Sequence, residues 1–163
     1  MEDNFNLTYW PVVYFETINS EINDNAFEEY KKFYLKLLIK CKNNSQKMIL
    51  ICNLNKSNDI PLNYVMKQAQ FNKEIYEFNK KYLVCVCILC TNSNFSHFKN
   101  IINLCTTMMT PASPVKLCNS FDNVNKYLLK IDGTVFDSNI FTRVSNKDES
   151  TEQTTAEEYE VPM

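Results

Sequence analysis

The sequence predicts an α/β fold: one domain with a four-to-five-stranded mixed sheet flanked by four helices. Three observations carry this. Short apolar, β-branched or aromatic runs alternate with helically spaced stretches four times between Leu7 and Lys130, the order that packs helices on a sheet. Two of the runs, Met48 to Leu54 and Tyr82 to Cys90, are almost continuously apolar, which suits central strands covered on both faces. The length of 163 residues supports one domain with a real core and is short for two.

The elements follow in order. Leu7 to Glu16 (LTYWPVVYFE) reads as the first strand, with Pro11 marking an edge or a bulge because it has no N–H for a ladder. A helix follows, capped by Asp24 or Asn25. Its stripe of Phe27, Tyr30, Phe33, Tyr34, Leu37, Leu38 and Cys41 recurs at three- and four-residue spacing. Lys40 and Lys42 suit the negative end of its dipole, and Asn43-Asn44-Ser45 ends it. Met48 to Leu54 is the second strand. Pro61 opens a second helix with Tyr64, Gln68, Phe71, Ile75 and Phe78 inward, and Tyr82 to Cys90 is the third strand. A third helix spans Phe95 to Met109, with Phe98, Ile102, Cys105 and Met109 inward, and stops before Pro111. Val115 to Cys118 is a short fourth strand. Ser120 caps a last helix whose Phe121, Val124 and Leu128 face the core.

Beyond Lys130 the pattern decays, although Val135, Phe136, Ile140 and Phe141 call for burial. The expected domain is 1–144. Residues 145–163 are acidic and polar and read as a disordered tail, with too little apolar area to offset the entropy of ordering.

Composition excludes several classes. A net charge of −2 leaves no basic surplus for a phosphate backbone, so nucleic acid is not an expected partner. Gly133 is the only glycine, which removes Gly-rich phosphate cradles. Arg143 is the only arginine, so bidentate guanidinium recognition has at most one source. No apolar run approaches the roughly 20 residues of a membrane span. The N-terminal MEDNFNLTYW lacks the apolar segment of a secretory signal. Seven cysteines, an odd number set inside apolar runs, then read as reduced thiols in a cytoplasmic setting. Heavy use of asparagine and lysine reads as AT-rich coding, as in a low-GC eukaryote or a large DNA virus.

The segment EFNKKYLVCVCILCTNSNFSHFKNIINLCTTMMTPASPVKLCNSFDNVNKYLL resembles the STAS-like (SpoIIAA-like) families. There a helix precedes a core strand, a helix leads to a proline-bearing loop, and a short strand feeds a final helix. LCNSFDNVNKYLL places Tyr127 and Leu128 where that helix carries its aromatic-aliphatic pair. MILICNLN resembles the apolar strand that ends in aspartate, with Asn53 in that place. The resemblance covers about residues 7 to 130 and implies a STAS-like fold. The Asp-Ser-x-Gly turn of the anti-anti-sigma members is absent: NLNKSNDIPL offers Ser57 but neither the Asp-Ser pair nor the glycine. Their phosphorylation switch does not carry over.

Cys87-Ile88-Leu89-Cys90 has C-x-x-C spacing, but inside a strand Cys85 and Cys87 share one face and Cys90 the other, unless the strand ends early and Cys90 begins the turn. No second close pair completes a zinc set, so buried thiols are the expected reading and no metal is expected. His97, the only histidine, lacks a nucleophile partner and reads as a surface or loop-contacting group. Glu28 and Glu29, like Glu74 and Glu77, read as solvated helix faces. Open α/β sheets place ligands at the C-terminal strand ends, which nominates Asn53, Asn55, Lys56, Ser57 and Asn58 after the second strand and Thr91, Asn92, Ser93 and Asn94 after the third. The expected function is a non-enzymatic protein-interaction module binding through those loops, with no cofactor and no catalytic residues. Alternatives are a scaffold component of a large DNA virus particle (hence virion-associated), a thiol-dependent redox enzyme using Cys87 and Cys90, and a binder of a small lipid or nucleotide. A homodimer is a further alternative.

Overall fold

The computed structural model describes residues 4–17, 22–57 and 59–131. The chain divides into two units, Met1–Ser120 and Phe121–Met163. The predicted loop residue Asn58, the stretch from 132 to 144 and the acidic tail from 145 lie outside the described residues.

The first unit holds one five-stranded mixed sheet in the order β1-β2-β3-β4-β5: Phe5–Asn6, Val12–Glu16, Met48–Asn53, Leu83–Leu89 and Val115–Cys118. β1 runs antiparallel to β2, and the remaining neighbours are parallel. The helices of this unit are α1 (Asp24–Asn43), α2 (Leu62–Glu74), α3 (Tyr76–Tyr82) and α4 (Phe95–Met108). Parallel strands in sequential order, joined by right-handed crossovers, put all the crossover helices on one face. Val13, Phe15, Met48, Leu50 and Leu83 form that face and pack with Tyr34, Leu37, Leu38 and Cys41 of α1 and Phe71 and Ile75. The opposite face, with Val12, Tyr14, Ile49, Ile51, Cys85, Cys87 and Leu89, is also buried. The second unit contributes α5 (Phe121–Ile131), whose Val124 and Leu128 are buried.

Four local expectations are corrected. The predicted first strand is two strands: a turn over residues 7–11 separates β1 from β2, closed by Trp10 N–H to the Leu7 carbonyl at 3.1 Å and Val12 N–H to Tyr9 at 2.9 Å. Pro11, without an N–H, sits in that turn rather than in a ladder. The short edge strand brings Phe5 onto Phe15 and Phe33, each with ring centroids 4.4 Å away. Second, the cap of α1 is Asn23, one residue earlier than expected, its side chain accepting from Ala26 N–H at 3.0 Å. Third, the predicted second helix is two helices divided at Ile75, whose ψ of 18° leaves the helical range. The change of phase turns Asn79 and Tyr82 inward and leaves Phe78 46% exposed. This division gives five helices among the described residues instead of four. Fourth, the strand expected from Tyr82 to Cys90 is Leu83–Leu89, with Tyr82 ending α3 and Cys90 beyond the strand.

The end of α1 is a Schellman turn. Gln46 N–H bonds to the Cys41 carbonyl at 3.0 Å and Ser45 N–H to the Lys42 carbonyl at 3.3 Å. Ser45 takes the left-handed position with φ of 52°, a conformation that usually falls to glycine.

Candidate functional site

The loops nominated from the sequence meet, and they meet through their own side chains. Asn55 Oδ1 accepts from Thr91 N–H at 2.7 Å and from the Thr91 hydroxyl at 3.1 Å. Asn92 donates back to the Asn55 carbonyl at 3.1 Å, and Asn94 to the Ser57 carbonyl at 3.5 Å. Asn53 is buried, donating to the Tyr14 hydroxyl at 2.6 Å, and its Oδ1 receives the Asn55 N–H at 2.9 Å. Ser57 is buried and donates to the Thr17 carbonyl at 3.0 Å. Lys56 pairs with Glu16 at 3.0 Å. Thr91 and Ser93 are exposed. His97 lies 2.9 Å from Asp59 of the loop after β3. Much of the hydrogen-bonding capacity of these loops therefore joins β3 to β4.

The cysteines separate by face. Cys87 lies on the strand face with Cys85, whereas Cys90 packs with Leu54 and Phe98 in a cluster on the helix side. Hydrogen bonding to Cys118, then to Cys85, together with burial, pushes the Cys87 thiol far up, and burial raises Cys90. All seven cysteines are free thiols. Among the described residues no group of three or more His, Cys, Asp or Glu side chains could hold a metal ion. No described helix is long and apolar enough to cross a membrane.

A different site stands out under the helices. An open cavity of about 780 Å³ lies between the helix-covered face of the sheet and α1, α2, α4 and the Met109–Ser113 segment. Ligand sites span roughly 300–1,000 Å³. Cys52 of β3 and Val86 and Ile88 of β4 line it, joined by Phe15 and Leu50. These belong to central strands, yet Cys52, Val86 and Ile88 are only half-buried. The α2 wall presents Val65, Met66 and Ala69, and the α4 wall presents Phe98, Ile101, Ile102 and Cys105. The stripe predicted to face inward on α4 does so, but Phe98 alone is fully buried, while Ile102, Cys105 and Met109 are half-buried cavity lining. A helical stripe shows which way apolar side chains point. It does not show whether anything lies beneath them.

The polar groups of the wall are mostly engaged with one another. Gln68 donates to the Tyr30 hydroxyl at 3.3 Å and to Asn72 at 3.1 Å, and the Tyr34 hydroxyl donates to Asn79 at 3.0 Å. Ser113 donates to the Leu83 carbonyl at 2.8 Å, with the Asn79 carbonyl at 3.2 Å, tying down the end of the 109–113 segment. Burial pushes the Tyr30 and Tyr34 hydroxyls well above the ordinary tyrosine range and the Cys52 thiol up to about 12. Tyr30, Tyr34 and Cys52 thus stay neutral well into the alkaline range. The result is an apolar trench with satisfied polar groups, a chemistry that accepts hydrocarbon.

The sequence reading missed this cavity. Its only trace was the uncharged inner stripe of α4 running into Met108-Met109, which reads equally well as core. A scan of protein-family models, a search of curated proteins and a search of solved structures each return no match for the chain.

Proposed function

We propose that this chain is a STAS-like domain that works without catalysis and holds a small, mainly apolar ligand in the cavity between β3–β4 and the helices α2 and α4. The observation that carries the reading is the incomplete burial of Cys52, Val86 and Ile88 on the two central strands. Burying apolar surface is worth about 0.8 kcal/mol per methylene, so a half-buried apolar trench over the middle of a sheet favours an apolar occupant. Bound ligand would complete the layer that α4 leaves open.

The test is a calorimetric titration with a homologous series of neutral straight-chain alcohols, each below its solubility limit. Affinity should rise about three- to fourfold per added methylene and then level off once the cavity is full. Absence of binding across the series would defeat the reading.

A second reading is favoured by the bridge from Asn55 to Thr91 and Asn92. It makes the loops after β3 and β4 one braced platform, suited to a protein partner. Replacing exposed Lys56, Thr91 and Ser93 by alanine should then abolish capture of that partner while leaving the alcohol titration unchanged. Unimpaired capture would exclude this surface.

A further inference from the structure

The charge on the cavity lining is the most specific feature of the site. Among the described residues that line it there is no aspartate, glutamate, arginine or histidine, and one lysine, Lys73 near the C-terminal end of α2. The Lys73 ammonium makes no ion pair among the described residues. Its neighbour Glu74 lines not this cavity but an adjoining depression that shares Phe27 and Gln70 with it, and accepts from Gln70 at 3.1 Å. Lys73 is exposed, as are Met66 and Met108, which also line the cavity, while Val86 and Ile88 lie on the sheet beneath. Among the described residues the cavity therefore has an uncharged, mainly apolar floor and a single positive charge at its solvent side.

We infer that the ligand is a single-chain anionic amphiphile of the fatty carboxylate class, with its alkyl chain over Val86 and Ile88 and its carboxylate at Lys73. The inference rests on the apolar-cavity reading above and adds the head group. One cation matches one monovalent anion, and the chain supplies the affinity. A flexible, polarisable thioether such as Met66 or Met108 adapts to chains of varying course. A carboxylate placed at the floor instead would face only apolar groups and a thiol that burial keeps protonated, at a large desolvation cost. The charged end must therefore lie outward, where Lys73 is.

The experiment compares decanoate, decanol and decylammonium at neutral pH and low salt, below their aggregation limits, with the full chain and its Lys73→Gln and Lys73→Glu variants. Lys73 is exposed, so both variants should fold, and melting curves check this. The expected order is decanoate, then decanol, then decylammonium. The first ratio should be about fivefold, the upper end for a partly exposed ion pair, and should shrink as salt is added. Lys73→Gln should bring decanoate level with decanol or below it, and Lys73→Glu should make decylammonium the tighter ion. Equal binding of all three, or preference for decylammonium by the unaltered chain, overturns the inference while leaving the apolar cavity standing. Failure of all three to bind overturns both.

Discussion

The Tyr34 hydroxyl of α1 donates to the side-chain carbonyl of Asn79 on α3 at 3.0 Å, with both residues buried. The pair exists because the helical phase changes at Ile75; an unbroken helix with Phe78 inward would have turned Asn79 away. It fixes α3 against α1, and both residues line the cavity. Tyr34→Phe strands a buried acceptor and should cost about 1–3 kcal/mol. Asn79→Leu should cost a similar amount. The double variant should cost clearly less than the sum, because neither partner is then left unpaired. Denaturant melts of the four proteins measure the coupling, and strict additivity would mean that the bond is not formed.

Ser45 carries the left-handed turn at the end of α1. A residue with a Cβ pays roughly 1–2 kcal/mol there. Ser45→Gly should therefore raise stability by about 1 kcal/mol in a chemical melt, with ligand affinity unchanged.

Much of the scaffold was legible from the sequence, and the physical reason is periodicity. The continuous apolar runs of β3 and β4 are central strands, and the stripe from Tyr34 to Cys41 is the buried side of α1. What escaped were features set by tertiary context. The turn at residues 7–11 is built from backbone bonds that apolar residues such as Leu7 and Trp10 do not advertise. Ile75 fits a helix pattern yet interrupts the helix. The nominated loop residues Asn55, Thr91 and Asn92 were placed at the right strand ends, but their hydrogen bonding to each other depends on strand register. The cavity was the least legible, since Ile102 and Cys105 have the same spacing whether they touch the sheet or face open space.

Stability should fall in alkali, with Cys52 one of several thiols, Cys87 and Cys90 among them, that the fold holds protonated. In the unfolded chain the Cys52 thiol ionises near 9, whereas burial holds it at about 12 in the fold. The folded state thus keeps the proton that the unfolded state loses. This contribution is complete below pH 9 and is lost as pH rises toward 12, at no more than about 1.4 kcal/mol per pH unit. Tyr30 and Tyr34, also raised by burial, steepen the loss above the ordinary tyrosine range. Melting temperatures across this range should decline, and Cys52→Val should make the first part of the decline less steep. An unchanged curve for that variant would show that Cys52 ionises freely in the fold.

Filling the cavity distinguishes it from packed core. Small-to-large changes in a close-packed interior cost about 1–3 kcal/mol. Val86→Phe points a larger ring into open volume and should be close to neutral in stability while weakening decanol at least about tenfold, roughly 1.4 kcal/mol. A destabilisation of core size would mean that the space over β4 is not available.

The central claim is that hydrocarbon binds over β4 between α2 and α4. The most direct measurement is NMR on protein with labelled Ile, Leu and Val methyl groups, recording intermolecular NOEs from bound decanol. The account predicts NOEs to Val86 and Ile88 on the sheet, Val65 on α2 and Ile101 on α4, which line the cavity together. NOEs confined to the exposed Leu35 and Ile39 of α1, with none to Val86 or Ile88, would contradict it.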